Sequence, residues 1–288
     1  MTKSVINHDE ELLSQAESIV YKQPDDGSDL HAHIYFPPGE REGASRPALV
    51  FFFASGWDNG RISQFAPQAL HFANRGAVTI LIEYRTRTSH DASPIASMQD
   101  ARSALRWVRF YSDQLGVDPR RIVAIGALAG ANIAAMATMN ASLEKDDTDP
   151  ENVDGMPNAL VLLSPLIEVV KGGYGAQVFA DSGTPLSAAN LSAHIDKGLP
   201  PMLILHGTHD RLTPFANVVK FVRKMQRKEN VCDLIPFEGR QHTFYNLNVD
   251  PDTHDQCNTL LDRFLVHLGF LPEAAPIDGD EETVRVIN

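Results

Sequence analysis

Residues able to do chemistry stand at three places along the chain. Gly126-Ala127-Leu128-Ala129-Gly130 sets a glycine pair between an apolar run and a helical pattern. Glycines at that spacing frame the strained strand-to-helix turn on which a hydrolytic serine stands in G-x-S-x-G motifs. The central residue here is Leu128, which offers no nucleophilic atom. Downstream, His206-Gly207-Thr208-His209-Asp210 puts a carboxylate just past a second apolar run. Glu238-Gly239-Arg240-Gln241-His242 then puts an imidazole on the loop after the next run. An acid followed by a His, on successive strand ends behind such a turn, is the chain order in which a carboxylate orients a general base.

These groups need elements to hold them. The short continuous apolar runs at 48–54, 77–82, 122–125, 159–163 and 202–205 predict strands buried on both faces, and 231–237 predicts another. Helical patterns fall between them. Residues 214–228 place Val218, Phe221, Val222 and Met225 on one face, with Thr213 expected as N-cap. Residues 253–268 open on a Thr253-x-x-Gln256 capping box and stop at Gly269. Residues 97–114 end at Gly116, and 133–139 follow the glycine turn. Before the first buried run, 18–22 and 30–36 read as an antiparallel entry pair around Pro24-Asp25-Asp26-Gly27. Strand–helix alternation predicts a doubly wound α/β sheet, whose ligands meet the carboxyl ends of the strands. The expected organisation is an N-terminal lead over 1–17, one domain over 18–271 and an acidic tail over 272–288.

Smaller segments fit the same frame: Glu83-Tyr84-Arg85, Asp118-Pro119-Arg120-Arg121-Ile122, Ser164-Pro165 and Gly172-Gly173-Tyr174-Gly175. With them, the chain over 18–271 resembles the α/β-hydrolase superfamily. Within it, the resemblance is to the carboxylesterase/acetyl-esterase group, which includes feruloyl- or acetylxylan-esterase-like and hormone-sensitive-lipase-like proteins. The resemblance implies a mostly parallel eight-stranded sheet flanked by helices. It implies Asp210 as triad acid, His242 as triad base and Leu128 at the nucleophile's position. It also implies an oxyanion loop at Phe53-Ala54-Ser55-Gly56-Trp57, where the family pattern H-G-G-G-W has exchanged two glycines for Ala54 and Ser55. The donors expected there are backbone N–H groups, from Ala54 or Ser55 together with Ala129. The added Cβ atoms are expected to narrow the hole. Ser55 is the one hydroxyl near the expected site, either a replacement nucleophile or a loop serine bonding backbone. Residues 164–200 are short and rich in small residues, which argues against a large lid. Trp57 and Tyr174 are expected as pocket rims or as packing.

Composition excludes other classes. The chain has 288 residues, 43% hydrophobic and 22% charged, with a formal net charge of −12 at pH 7. An acidic surface repels phosphate backbones and anionic lipid, so neither nucleic acid nor membrane is an expected partner; a small-molecule ligand or ester-like substrate is. Much of the acidity lies in 144–155 (EKDDTDPENVDG), expected as a solvated loop. Metal-ligand spacing and a dinucleotide fingerprint are both missing, so no cofactor and no metal are expected. Cys232 falls in a predicted strand and Cys257 on a helix core face, which removes both as nucleophiles. No signal-peptide pattern or transmembrane run is seen, which leads to a cytoplasmic expectation. With Leu128 at the turn, the acyl-enzyme route is expected to be closed. Three readings remain: a pseudo-hydrolase binding a small ligand or partner, an enzyme using Asp210–His242 as general base, and an esterase with an unrecognised nucleophile. The second is motivated by two dyad residues kept in motif contexts that an inert site would not require.

Overall fold

Eight strands pair into one sheet in the order β1-β2-β4-β3-β5-β6-β7-β8, in a computed structural model that describes residues 3–273. The chain enters through β1 (Glu17–Lys22) and β2 (Leu30–Tyr35), which are antiparallel to each other. β3 (Arg46–Phe52), β4 (Val78–Ile82), β5 (Val117–Ala127), β6 (Ala159–Leu163), β7 (Met202–Gly207) and β8 (Cys232–Phe237) then run parallel, and β2 meets β4 antiparallel. The apolar runs are strands for the expected reason: both faces are covered. Val50, Phe52, Ile122 and Ala124 pack into one core cluster, while Leu49, Phe51, Val123 and Ile125 pack into the other. Burying each such side chain contributes about 1.5–3 kcal/mol, so the centre of the sheet is a stiff platform for the loops at its carboxyl edge.

Helices cover the two faces. In chain order they are α1 (Lys3–Leu13), α2 (Ala66–Asn74), the single turn α3 (Arg87–His90), α4 (Pro94–Phe110), the short α5 (Ser112–Leu115), α6 (Ala129–Met139), α7 (Ala176–Asp181), α8 (Phe215–Arg227) and α9 (Pro251–His267). α4, α6 and α8 belong to the first core cluster, and α2 and α9 to the second. The lead segment is itself helical: α1 sets Leu12 and Leu13 against the second cluster, and the Tyr35 hydroxyl donates to the Leu12 carbonyl at 2.7 Å. Between β6 and β7 the chain makes only α7 and short 3-10 turns, so no large lid covers the sheet edge. No helix among the described residues is long and apolar enough to cross a membrane. The tail expected over 272–288 lies, past residue 273, outside the described residues.

Several boundaries differ from the sequence reading, each for a local reason. α9 begins at Pro251 because the Asp250 carboxylate caps it, accepting from Thr253 N at 3.1 Å, so the Thr253 box is not the start. The helix expected over 97–114 starts at Pro94, where Ser93 Oγ accepts from Ala96 N, and it breaks at Tyr111. The acidic stretch 144–155 has no regular structure but is not simply solvated. Asp146 pairs with Lys22 at 2.6 Å and Asp149 with Arg106 at 2.5 Å. Lys22 also meets Oδ1 of the fully buried Asp100, and Arg85 reaches the same oxygen, both at 2.8 Å. This network ties β1, α4 and the acidic loop together.

Candidate active site

β5 delivers the glycine turn into α6. A Cβ on Gly130 would lie 2.3 Å from the carbonyl oxygens of Phe52 and Phe53, and one on Gly126 would lie 2.5 Å from the Gly130 carbonyl oxygen. Backbone therefore closes on backbone, and only glycine fits at either end. Leu128 at the centre adopts φ 53°, ψ −114°, a region that L-residues rarely occupy. The turn is pinned there: Leu128 N donates to the Leu163 carbonyl at 3.1 Å, and the Leu128 carbonyl accepts from Asn132 N and Leu166 N at 3.2 Å. Holding a γ-branched residue in that conformation costs about 1–3 kcal/mol. The turn is strained, and it carries an apolar side chain at its centre.

The acid and the imidazole meet. His242 Nδ1 lies 2.7 Å from Asp210 Oδ2, with the carboxylate fully buried. Asp210 Oδ1 accepts from the backbone N–H groups of Leu212 and Thr213, each at 2.9 Å. Thr213 Oγ1 donates to Oδ2 at 2.8 Å. Burial alone would raise the Asp210 carboxyl, but the His242 hydrogen bond and charge, with the Thr213 donors, hold it down at about 2. A carboxylate that only accepts fixes the proton of neutral His242 on Nδ1 and leaves the Nε2 lone pair bare. Among the described residues Nε2 has no hydrogen-bond partner, and it is sealed from solvent. Beneath the pair, the fully buried His206 donates from Nε2 to the Thr213 carbonyl at 2.7 Å, and burial pushes its imidazole below the ordinary range.

Thr213 and His206 were not singled out as members of this cluster by the sequence. Thr213 was expected to cap α8. Pro214 takes the cap position instead, without a side-chain bond to the helix, and the Thr213 hydroxyl turns to Asp210. The competition is between one exposed helix amide and a buried carboxylate, and the charge-assisted bond wins.

The expected oxyanion loop leaves the end of β3. Ala54 N donates to Gln64 Oε1 at 2.7 Å, and Gln64 Nε2 donates to Asn246 Oδ1 at 3.0 Å. Gln64 was not marked out by the sequence, because it belongs to no motif. Ser55 is buried; its Oγ accepts from Trp57 N at 3.0 Å and lies 2.8 Å from the Tyr84 hydroxyl. It is engaged as a loop serine and not by His242. Ala129 opens α6 beside Leu128, where first-turn amides lack intrahelical partners. Trp57 forms no rim: it is fully buried and packs edge-on against Phe179 at 5.0 Å. Its φ of 61° turns the indole inward, which the sequence does not signal. Tyr174 is partly exposed and closes over the loop, since a Cβ on Gly56 would lie 2.6 Å from its hydroxyl. Cys232 and Cys257 are buried free thiols, pushed up by burial.

Tyr174 separates two cavities. One of about 560 Å³ is polar and is lined by Ala54, Ser55, Gln64 and Asn246. The other, about 290 Å³, is lined by Leu166, Ile167, Val170, Leu212 and Thr213. Tyr174 borders both, whereas Leu128 and His242 line neither.

Known proteins are similar to this chain in sequence and fold. The BD-FAE family model matches residues 32–225. The propionate-bound structure of a thermophilic esterase from Thermogutta terrifontis is 36% identical, with a TM-score of 0.85, covering 91% of this chain and 98% of that one. The structure of that organism's esterase 2 phosphonylated by sarin gives 36% identity and a TM-score of 0.86 over the same shares. Carboxylesterase NlhH of Mycobacterium tuberculosis is 28% identical over 210 residues, 64% of this chain. The match spans 62% of the length of that curated relative.

Proposed function

This chain belongs to the BD-FAE family of carboxylesterase-like α/β-hydrolases, and from that premise we propose that it binds a small acyl- or ester-like ligand without forming an acyl-enzyme. The observation that carries the reading is Leu128, set in the strained nucleophile conformation with no oxygen or sulfur to attack. Sealed Nε2 of His242 supports it, since a base that water cannot reach has nothing to activate. The relatives are named as esterases, which supports an ester-like ligand class. The test is turnover of p-nitrophenyl acetate together with labelling by a fluorophosphonate probe. The expected result is a background rate and no label.

A second reading is favoured by one specific feature, the intact 2.7 Å dyad. In it, His242 acts as general base toward water or an acidic substrate proton, with Asp210 holding the tautomer. Turnover above background that disappears in His242→Ala, without probe labelling, would favour this reading over the first. Labelling would overturn both and point to a hidden nucleophile, for which Ser55 is the candidate.

A further inference from the structure

The polar cavity beside Tyr174 takes part of its wall from outside the stretch 32–225 that the family model matches. α1 packs against α2 and against the 3-10 turn Ile62–Phe65. Leu12 and Leu13 set α1 on the core, and Asp9, three and four residues earlier, shares their helical face. Asp9 is 4% exposed and lines the cavity of about 560 Å³ with Asn59, Arg61, Gln64 and Asn246. Among the described residues its carboxylate receives no hydrogen bond and no ion pair, and burial raises the carboxyl above its ordinary range. Its oxygens are not sealed as His242 Nε2 is, so they open onto the cavity. A carboxylate taken from water without a donor is costly, and folded chains rarely leave one so.

Asn246 supplies the complement. Gln64 Oε1 accepts from Ala54 N at 2.7 Å, which turns Gln64 Nε2 toward Asn246 Oδ1 at 3.0 Å. Asn246 is left with Nδ2, a donor that has no hydrogen-bond partner among the described residues and is likewise not sealed. A hydroxyl can donate to Asp9 and accept from Asn246. Charge argues the same way, because Arg61 stands close enough to act on the Asp9 carboxyl against the effect of burial. A cation would meet Arg61 as well as Asp9, and an anion would meet Asp9 as well as Arg61. A neutral hydroxylated group meets neither repulsion.

We propose that this cavity binds a neutral hydroxylated group and that Asp9 reads its hydroxyls, as a specificity-determining residue. The proposal rests on the reading of an ester-like ligand and names the alcohol side of that ester, a polyol. It gives the N-terminal lead, which the sequence set apart from the domain, a place in the site. Leu128 and His242 carry no part of it, since neither lines the cavity.

The experiment titrates glycerol monobutyrate and propyl butyrate, the same ester without the two hydroxyls, into the full chain by calorimetry. One hydrogen bond to a charged group is worth about 10–100-fold in affinity, so the unaltered chain is expected to prefer the glycerol ester by at least about 10-fold. Asp9→Leu removes the acceptor at similar size and is expected to abolish that preference, with propyl butyrate binding unchanged. Asp9→Asn keeps an acceptor oxygen without the charge and is expected to retain part of the preference. A merely structural Asp9 would shift both esters alike in Asp9→Leu. That result, equal affinity for the two esters in the unaltered chain, or a preference that persists in Asp9→Leu would overturn the proposal and leave the cavity to water. Binding of neither ester would overturn it together with the ester-like reading beneath it. Turnover of an ester, or labelling by the fluorophosphonate probe, would instead strike the proposed function alone, and the preference would then be read as the ratio of the two KM values.

Discussion

The strain at the glycine turn can be measured by comparing Leu128→Ala with Leu128→Gly. Leu128 is 5% exposed, so truncating it to Ala is expected to cost about 2–5 kcal/mol through lost burial and the cavity left behind. Taking the further step to Gly leaves nearly the same cavity, and that contribution cancels between the two variants. What remains is backbone. At an ordinary position, Ala→Gly destabilises by about 0.5–1 kcal/mol, because glycine loses more freedom on folding. At φ 53°, ψ −114° an L-residue carries about 1–3 kcal/mol of strain that glycine does not. The turn cannot relax it, since three backbone hydrogen bonds pin Leu128 and the flanking glycines press on carbonyls 2.3–2.5 Å from any added Cβ. The difference predicts Leu128→Gly to be more stable than Leu128→Ala by about 1 kcal/mol, a shift of about 2–4 °C in Tm for a domain of this size. Urea melts followed by circular dichroism, with equal m-values for the two variants, give the comparison. A Gly variant less stable than the Ala variant by the ordinary amount would refute the reasoning: the turn would then relax freely, and the retained shape would hold no strain.

Other parts of the molecule make predictions of the same kind. The Asp210 carboxyl titrates at about 2 in the folded chain against an ordinary 3.8, so the stability it contributes is present above the unfolded value and lost as pH falls from 3.8 toward 2. Asp210→Asn should flatten that part of the acid limb in urea melts across the interval, and an unchanged slope would show that the carboxylate is not held as described. Asp100→Ala leaves Lys22 and Arg85 facing a buried gap and is expected to cost about 3–5 kcal/mol by the same melts; a cost below 1 kcal/mol on the scale of a surface pair (about 0–1) would place the network in solvent. Gly130→Ala drives a methyl into two backbone carbonyls and should cost at least about 3 kcal/mol, the upper end for overpacking, or prevent soluble expression.

What the sequence made legible and what it hid divide along a physical line. The sheet could be read because strands buried on both faces need continuous apolar residues, as in β3, β4, β6 and β7. The turn could be read because a Cβ is sterically forbidden at Gly126 and Gly130, so residue identity reports geometry directly. Asp210 and His242 could be placed because each follows such a strand. Hydrogen bonds chosen among several available partners left no comparable trace. Thr213 could cap a helix or serve a carboxylate, and only the buried charge decides between them. Gln64 reaches Ala54 across a loop with no spacing rule, and Trp57 turns inward through a backbone angle that a tryptophan does not advertise.

That division bears on how much a retained dyad implies. The sequence offered its persistence as a reason to expect chemistry, since an inert site would not require it. Asp210 has a structural reason to persist: its carboxylate accepts the N–H groups of Leu212 and Thr213 and the Thr213 hydroxyl, and so holds the turn between β7 and α8. Gly126 and Gly130 persist because backbone closes on them, whatever stands between. Each part of the frame except the imidazole therefore has a role in the fold that does not depend on which residue stands at 128. His242 also steadies Asp210, its hydrogen bond and charge holding the carboxyl down ahead of the Thr213 donors. The weight of any remaining chemistry thus falls on one atom, His242 Nε2, which is buried and has no hydrogen-bond partner among the described residues.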